Sequence, residues 1–364
     1  MVPEKRINMH ILFLAPASSV HSYRWIKYFS EIQGIKITWC SFAENTMPKL
    51  DKVELKILRK NTPIELLRSF QYISKKSADI IHVHYMGWNG FLSIFFPKTP
   101  VISTAWGSDI VFNSRNFLKK WLLKKMIRLS NIITCDAYHL KDRLMDLGCE
   151  QEKIELIMFG VDESSFITTR RPFDIKKPKT KFMVGSIRNL YPVYDVITFV
   201  KAAKIVLDQR NDVTFIVASS GSDLNSLEEF VDKNKITEGV KFLGRVEQSQ
   251  LVNFYDDLDV YVSTALSDGG LASSTQEAMI CKRPVVITDC AENSYWVKDH
   301  VNGRLFDCGD FSSLAKIILE LLENKEIGRN LGLKAKETII LRSSYNNEMS
   351  KMLKIYQKTA ENTD

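Results

Sequence analysis

The residues best suited to chemistry are concentrated between Ser267 and Asp289, where the chain reads SDGGLASSTQEAMICKRPVVITD directly after the β-type run DVYVST (259–264). Gly269 and Gly270 let backbone approach a ligand closely, and Ser273 and Ser274 are candidate N-caps for a helix that carries Glu277. The exposed N–H groups of such a helix start can hold a phosphate or sugar hydroxyls. Glu277, about one turn in, is placed to accept hydrogen bonds from a vicinal diol such as a ribose. The same serine–glutamate spacing also fits a capping box that touches no ligand. Arg188 directly follows the run KFMVGSI (181–187), where a guanidinium can bind phosphate bidentately and neutralise the charge of a leaving group. The alternative is an exposed loop arginine.

Signals in the first half are weaker. Ser18, Ser19 and His21 follow the run HILFLAP (10–16) and open a helix with Arg24 and Trp25. The serines can bind hydroxyl groups or cap the helix, and capping is the simpler role. His82 and His84 alternate on DIIHVHY (79–85) and so face the same side of one strand, where a buried histidine usually belongs to the core. Asp109 ends the segment AWGSD (105–109), just past another strand. Phe117 to Leu129, FLKKWLLKKMIRL, sets Lys120, Lys124 and Arg128 in an i, i+4 stripe beside Trp121, Leu122 and Met126. Such a basic amphipathic helix suits an anionic membrane surface or, equally, the wet face of a core-packed helix.

Loops at strand ends must bring these residues together, and the pattern supplies them twice. Apolar runs alternate with helical stretches as HILFLAP, IKITWCS (35–41), DIIHVHY, PVISTAW (100–106) and NIITCD (131–136). They recur as KFMVGSI, VTFIVAS (213–219), VKFLGRV (240–246), DVYVST and RPVVITD (283–289). Strands this continuously apolar predict parallel sheets covered by helices on both faces, hence an α/β protein of two doubly wound domains. The proline- and lysine-containing segment TTRRPFDIKKPKTK (168–181) lacks apolar periodicity and reads as a linker. The expected division is a first domain 1–167, a linker 168–180, a second domain 181–345, and a C-terminal helix 346–364 that can cross back to the first. Ligands of open parallel sheets sit beyond the carboxyl ends of the strands, which is where the candidate residues lie. No G-x-G-x-x-G follows any of these runs, which argues against dinucleotide binding and hydride transfer.

Composition narrows the classes further. With 45% hydrophobic and 26% charged residues, the 364-residue chain is neither disordered nor fibrous, and no apolar run approaches the length of a membrane span. Six scattered cysteines without C-x-x-C spacing suit reduced thiols in a cytoplasm and offer no metal site. The net charge of +7 is carried by residues 1–170, with 24 Lys+Arg against 16 Asp+Glu. Lacking aromatic–basic repeats, that half predicts no nucleic-acid partner and better suits an anionic membrane surface or a phosphorylated partner. The expected location is cytoplasmic, either free or peripheral at the inner face of the cell membrane.

These motifs together resemble glycosyltransferase family 4. The match runs through Asp268-Gly269-Gly270, Glu277-Ala278-Met279-Ile280-Cys281 and Pro284-Val285-Val286, then Asn293, Trp296-Val297, Asn302-Gly303-Arg304-Leu305-Phe306 and Gly309-Asp310. In the first half it takes in HVHY (82–85), AWGSD and the pattern from Leu144 to Phe166. The resemblance implies the GT-B fold, two Rossmann-like domains facing each other across a cleft. It implies metal-independent transfer, with retention of configuration, of a hexosyl or N-acetylhexosaminyl group from a nucleoside diphosphate sugar. A UDP-sugar is the first expectation, with no further cofactor. The acceptor would be a glycan or a lipid-linked glycan in surface polysaccharide or lipopolysaccharide synthesis.

By the same resemblance Arg188 would grip the diphosphate and assist its departure, and Glu277 would hold the ribose. Asp268, Gly269, Gly270, Leu271 and Ala272 would hold the donor sugar, and Leu243 and Gly244 would form the base-contacting turn. Ser18, Ser19, His21 and His84 would face the acceptor, with Asp109 the polar group nearest the reacting centre. Retaining transfer on this fold needs no firm general base, because positioning and charge stabilisation can carry it. Three departures stand out. Asp268 is one position early for the usual acidic residue, no lysine follows Arg188, where Tyr191-Pro192 or Tyr194-Asp195 stands instead, and Trp106 replaces a common histidine. They leave two alternatives: a catalytically silent nucleotide-sugar-binding subunit, or a sugar-nucleotide epimerase on the same fold.

Overall fold

The computed structural model describes residues 8–114, 116–166, 180–268 and 270–361, so the expected linker lies outside the described residues except for Thr180. The chain divides into two compact units, Met1–Phe159 with Asn346–Asp364, and Gly160–Tyr345.

In the first unit seven parallel strands form one sheet: β1 (Met9–Leu14), β2 (Ile35–Ser41), β3 (Val53–Ile57), β4 (Ile80–His84), β5 (Val101–Ala105), β6 (Ile132–Cys135) and β7 (Ile154–Leu156). Their order is β3-β2-β1-β4-β5-β6-β7, a doubly wound arrangement that reverses direction between β1 and β4. Ile11, Leu12 and Phe13 on the central strand are fully buried, each worth about 1.5–3 kcal/mol against exposure. The helix Tyr345–Glu361 packs into this unit from Asn346 onward; Tyr356 stacks edge-on against Phe29 and Glu348 accepts a hydrogen bond from the Met158 N–H.

The second unit repeats the design with β8 (Phe182–Ser186), β9 (Val213–Val217), β10 (Val240–Phe242), β11 (Val260–Ser263), β12 (Val285–Thr288) and β13 (Arg304–Phe306). Their order, β10-β9-β8-β11-β12-β13, reverses between β8 and β11, and every pairing is parallel. The helices Val196–Leu207 and Phe311–Glu323 bury Phe199, Ala203, Leu314 and Ile318 on one face of this sheet. Gly221 is required by close packing: a Cβ there would come within 2.2 Å of the Leu190 carbonyl oxygen. The loop after β9 is thereby seated on the loop after β8.

All ten apolar runs form strands, and both units are parallel-sheet Rossmann-like domains. Three edge strands, β3, β7 and β13, go beyond the sequence expectation. β3 alternates half-buried and exposed residues, and the other two are three residues long, so none presents a continuous apolar run. Among the described residues no helix is long and apolar enough to cross a membrane, and no cluster of His, Cys, Asp or Glu could hold a metal ion.

Candidate functional site

The two loops at the switch point of the second sheet carry the chemistry. Arg188 leaves β8 and Asp268 lies on the loop after β11, and the fold sets them against each other: the Arg188 Nη2 donates to Asp268 Oδ1, with both side chains 9% exposed. Arg188 Nη1 donates to Ser274 Oγ at 3.3 Å, and the guanidinium lies over the Tyr194 ring at 4.5 Å. Arg188 Nε is buried without a partner. Burial alone would lower the Arg188 pKa, but Asp268, Tyr261 and Tyr194 outweigh it and hold the group charged. For Asp268 burial dominates and pushes its carboxyl above the usual range, with Arg188 pulling the other way.

The helix following this loop spans Ser273–Ile280, and its N-cap is Ala272, with no side-chain cap. Neither Ser273 nor Ser274 caps it, contrary to the expectation from sequence. The Ser274 hydroxyl is engaged elsewhere, accepting from Arg188 and from the Tyr261 hydroxyl at 2.9 Å. Glu277 is therefore no member of a capping box either. Half-buried, it accepts a hydrogen bond from the Tyr255 hydroxyl at 2.8 Å. The chain enters the helix through Gly270, whose φ of 137° is a conformation that favours glycine, and Leu271, whose carbonyl is tied to Gln276 at 2.8 Å. Gly269 lies outside the described residues.

Beyond β10, Leu243 and Gly244 are half-buried; the Leu243 N–H binds the Val217 carbonyl, and Gly244, at a φ of 66°, would admit a Cβ into open space. Sequence reasoning missed Tyr255, Tyr261 and the bridging role of Ser274, and noted Tyr194 only as standing where a lysine is usual. Tyr255 and Tyr261 read as ordinary aromatics, and only their partners reveal the role.

The first unit treats its candidates differently. Asp109 is fully buried and accepts from three backbone N–H groups, those of Met86 (2.6 Å), Trp106 (3.0 Å) and Ile110 (3.0 Å). Burial pushes its carboxyl up to about 6. Its oxygens fasten the loops after β4 and β5. His84 is buried as well. At 1% exposure its ring lies edge-on to Trp25 (4.9 Å), Phe13 (5.5 Å) and Trp106 (6.0 Å), and neither ring nitrogen has a partner. Burial, then His21, lowers its pKa to about 3, which keeps the ring neutral. His82 is satisfied by Tyr356 (2.5 Å) and Thr104 (2.8 Å).

Half-buried His21 stacks on Phe159 at 4.2 Å, and burial followed by Arg24 lowers its pKa to about 4. Ser19 caps the helix Val20–Ser30, accepting from the Ser22 N–H at 3.4 Å, while Ser18 is exposed.

Two Rossmann-like domains, the second with an arginine and an acid converging at a helix start, define the class of GT-B glycosyltransferases. The HepE protein of Anabaena, solved in complex with UDP and again with UDP-glucose, shares the fold at a TM-score of 0.82; it is 18% identical, and the match covers 96% of this chain and 100% of that one. The family "Glycosyl transferases group 1" matches residues 168–338 and "Glycosyl transferase 4-like" matches residues 10–137. Each half of the chain thus matches a glycosyltransferase family model, and the GT-B, family-4 type fits both. Among curated relatives, the poly(ribitol-phosphate) α-N-acetylglucosaminyltransferase of Staphylococcus aureus is 29% identical over 49% of this chain and 36% of its own length. The N-acetyl-α-D-glucosaminyl L-malate synthase of Bacillus anthracis is 22% identical over 73% of this chain and 71% of its own.

Proposed function

We propose that this glycosyltransferase moves a hexosyl or N-acetylhexosaminyl group from a UDP-sugar to a glycan or lipid-linked acceptor, with retention and without a metal ion, in surface polysaccharide or lipopolysaccharide synthesis. The observation that carries the donor half is the convergence of Arg188, Asp268 and Ser274 at the start of the helix bearing Glu277. A charged guanidinium with an unpartnered Nε, beside helix N–H groups that lack intrahelical acceptors, suits the diphosphate. Glu277, oriented by Tyr255, suits the ribose diol. The turn at Leu243 and Gly244 offers backbone to the base, and Gly270 to Ala272 with Asp268 face the sugar. UDP in HepE and the N-acetylglucosaminyl groups named for the two relatives support the choice of nucleotide and sugar.

One feature of the first unit supports a membrane-held acceptor. The helix Phe117–Leu129 buries Leu123, Met126 and Ile127 and leaves Phe117 (89%), Leu118 (62%) and Trp121 (53%) exposed beside exposed Lys120, Lys124 and Arg128. Apolar side chains flanked by cations suit an anionic leaflet. Ser18, Ser19 and His21 remain the residues assigned to the acceptor.

The test is a thermal-shift screen against nucleoside diphosphates and their sugars, because a ligand bound only by the native state raises its melting temperature. UDP and a UDP-sugar should shift it. Glu277→Ala should weaken UDP binding by about 1–3 kcal/mol, the loss of a charge-assisted hydrogen bond. Unchanged affinity in the folded variant removes Glu277 from the site, and no shift with any nucleotide defeats the donor reading.

A further inference from the structure

Arg188, assigned above to the diphosphate, is engaged everywhere except at Nε. Its Nη2 is paired with Asp268, its Nη1 with Ser274, and its face rests on Tyr194. The loop that carries it is fixed: Leu190 N–H binds the Ser220 carbonyl, and Asn189 accepts from Ser219 at 2.9 Å. The Tyr194 side is fixed too, with Thr264 donating to the Tyr194 carbonyl at 2.9 Å and the Leu266 N–H to the Val193 carbonyl at 2.9 Å. The guanidinium has little freedom to swing towards a ligand. Asp268 has more, because it stands beside Gly269 and Gly270 on the loop that would meet the sugar.

An anion binding to Arg188 must therefore displace Asp268 or share the arginine with it. The result depends on what the anion carries. A bare nucleoside diphosphate takes the arginine and leaves the carboxylate buried beside phosphate charge with no partner, a costly arrangement. A nucleotide sugar brings hydroxyl donors, and these can satisfy the displaced carboxylate.

Resting on the donor reading above, we propose that Asp268 is a specificity-determining residue that uses its ion pair with Arg188 to discriminate against sugar-free nucleotide. The pair holds the diphosphate site closed to the spent nucleotide and opens it to the charged donor. Its consequence is product release: once the sugar has gone, Asp268 loses its hydroxyl partner and returns to Arg188, expelling the diphosphate.

Calorimetric titration of the full chain with UDP, UDP-N-acetylglucosamine, UDP-glucose and uridine tests this, comparing the native protein with Asp268→Asn and Asp268→Ser. Melting temperatures without ligand establish that the variants are folded, and two substitutions guard against one failing to fold. In both, UDP should bind tighter by about 5-fold or more, the lower end of ordinary coupling between two bound groups. The preference for UDP-sugar over UDP should shrink by at least that factor. Uridine, which never reaches Arg188, should bind unchanged. UDP affinity that stays the same or falls in the folded variants overturns the proposal, as does a change for uridine that parallels UDP. If the native protein binds none of the four, nor any other nucleoside diphosphate, the donor reading itself fails and takes this proposal with it. Native binding of UDP without the Asp268 effect leaves the donor reading standing alone.

Discussion

The two units share one sheet design and put their polar residues to opposite uses. In the first, groups at the strand ends are consumed by the fold: Asp109 by three backbone N–H groups, His82 by Tyr356 and Thr104, His84 by a wall of rings. In the second, Arg188, Asp268, Ser274 and Glu277 converge at one helix start, each fixed by a tyrosine or by one another. A charged small ligand needs a preorganised set of charges, and among the described residues the motif of the second unit builds one. The first offers a rigid frame of buried groups.

Removing Arg188 should break this contrast most severely. Asp268 is left buried without its counter-charge in Arg188→Ala, and the second unit should lose about 3–5 kcal/mol. Denaturant unfolding checks this, and the double variant with Asp268→Ala should recover most of the loss. A double variant as unstable as the single one shows that the ion pair is not the source.

Acidification should expose the first unit instead. Burial lowers His21 to about 4, His84 to about 3 and His82 well below the ordinary value of 6.5. The stability these groups contribute is fully present above pH 6.5 and is lost as pH falls towards their folded values, because the unfolded chain takes up protons first. Asp109 runs the other way: raised from 3.8 to about 6, its contribution is present below pH 3.8 and lost as pH rises through 6. In the second unit burial raises Asp195, Asp259 and Asp268, so that unit gains on acidification. Each histidine can contribute a slope of up to about 1.4 kcal/mol per pH unit. Hydrogen exchange, corrected for intrinsic rates, should show β1 and β4 losing protection between pH 6.5 and 5 while β8 and β11 keep theirs. Parallel loss in both units defeats the comparison.

The smallest effect concerns the loop after β1. Ser19→Ala removes a long cap bond and should cost about 0.5–1 kcal/mol without changing UDP affinity. Transfer should fall by more than this stability loss explains if Ser19 also meets the acceptor as assigned above, and unchanged transfer removes it from the acceptor site.

The strands legible in the sequence are those buried on both faces, since each then reads as an unbroken apolar run. β3, with exposed Glu54 and Lys56 alternating along it, does not. The loop after β11 stands out in the sequence because glycines, an acid and a helix-borne glutamate lie close together. How the parts are held does not. Ser274 takes its arginine partner from 86 residues away, and a serine at a helix start looks like a cap until that arginine is seen. The three peptide N–H groups that Asp109 holds are hidden for a related reason: a carboxylate that binds a ligand and one that binds backbone are spelled alike.

The helix that begins at Tyr345 gives the chain an unusual order of assembly. His82 finds its hydroxyl partner 274 positions later, so a ribosome delivers Tyr356 only after the whole of the second unit has emerged. A loop of that length is costly to close in a free chain. The second unit removes most of that cost when it folds, because its own ends are clasped: the Tyr345 N–H binds the Val161 carbonyl at 3.0 Å, and Gly160 lies too close to Tyr345 to admit a side-chain carbon. It works as a folded insert that returns the chain to where it left, so the first unit is begun first and completed last.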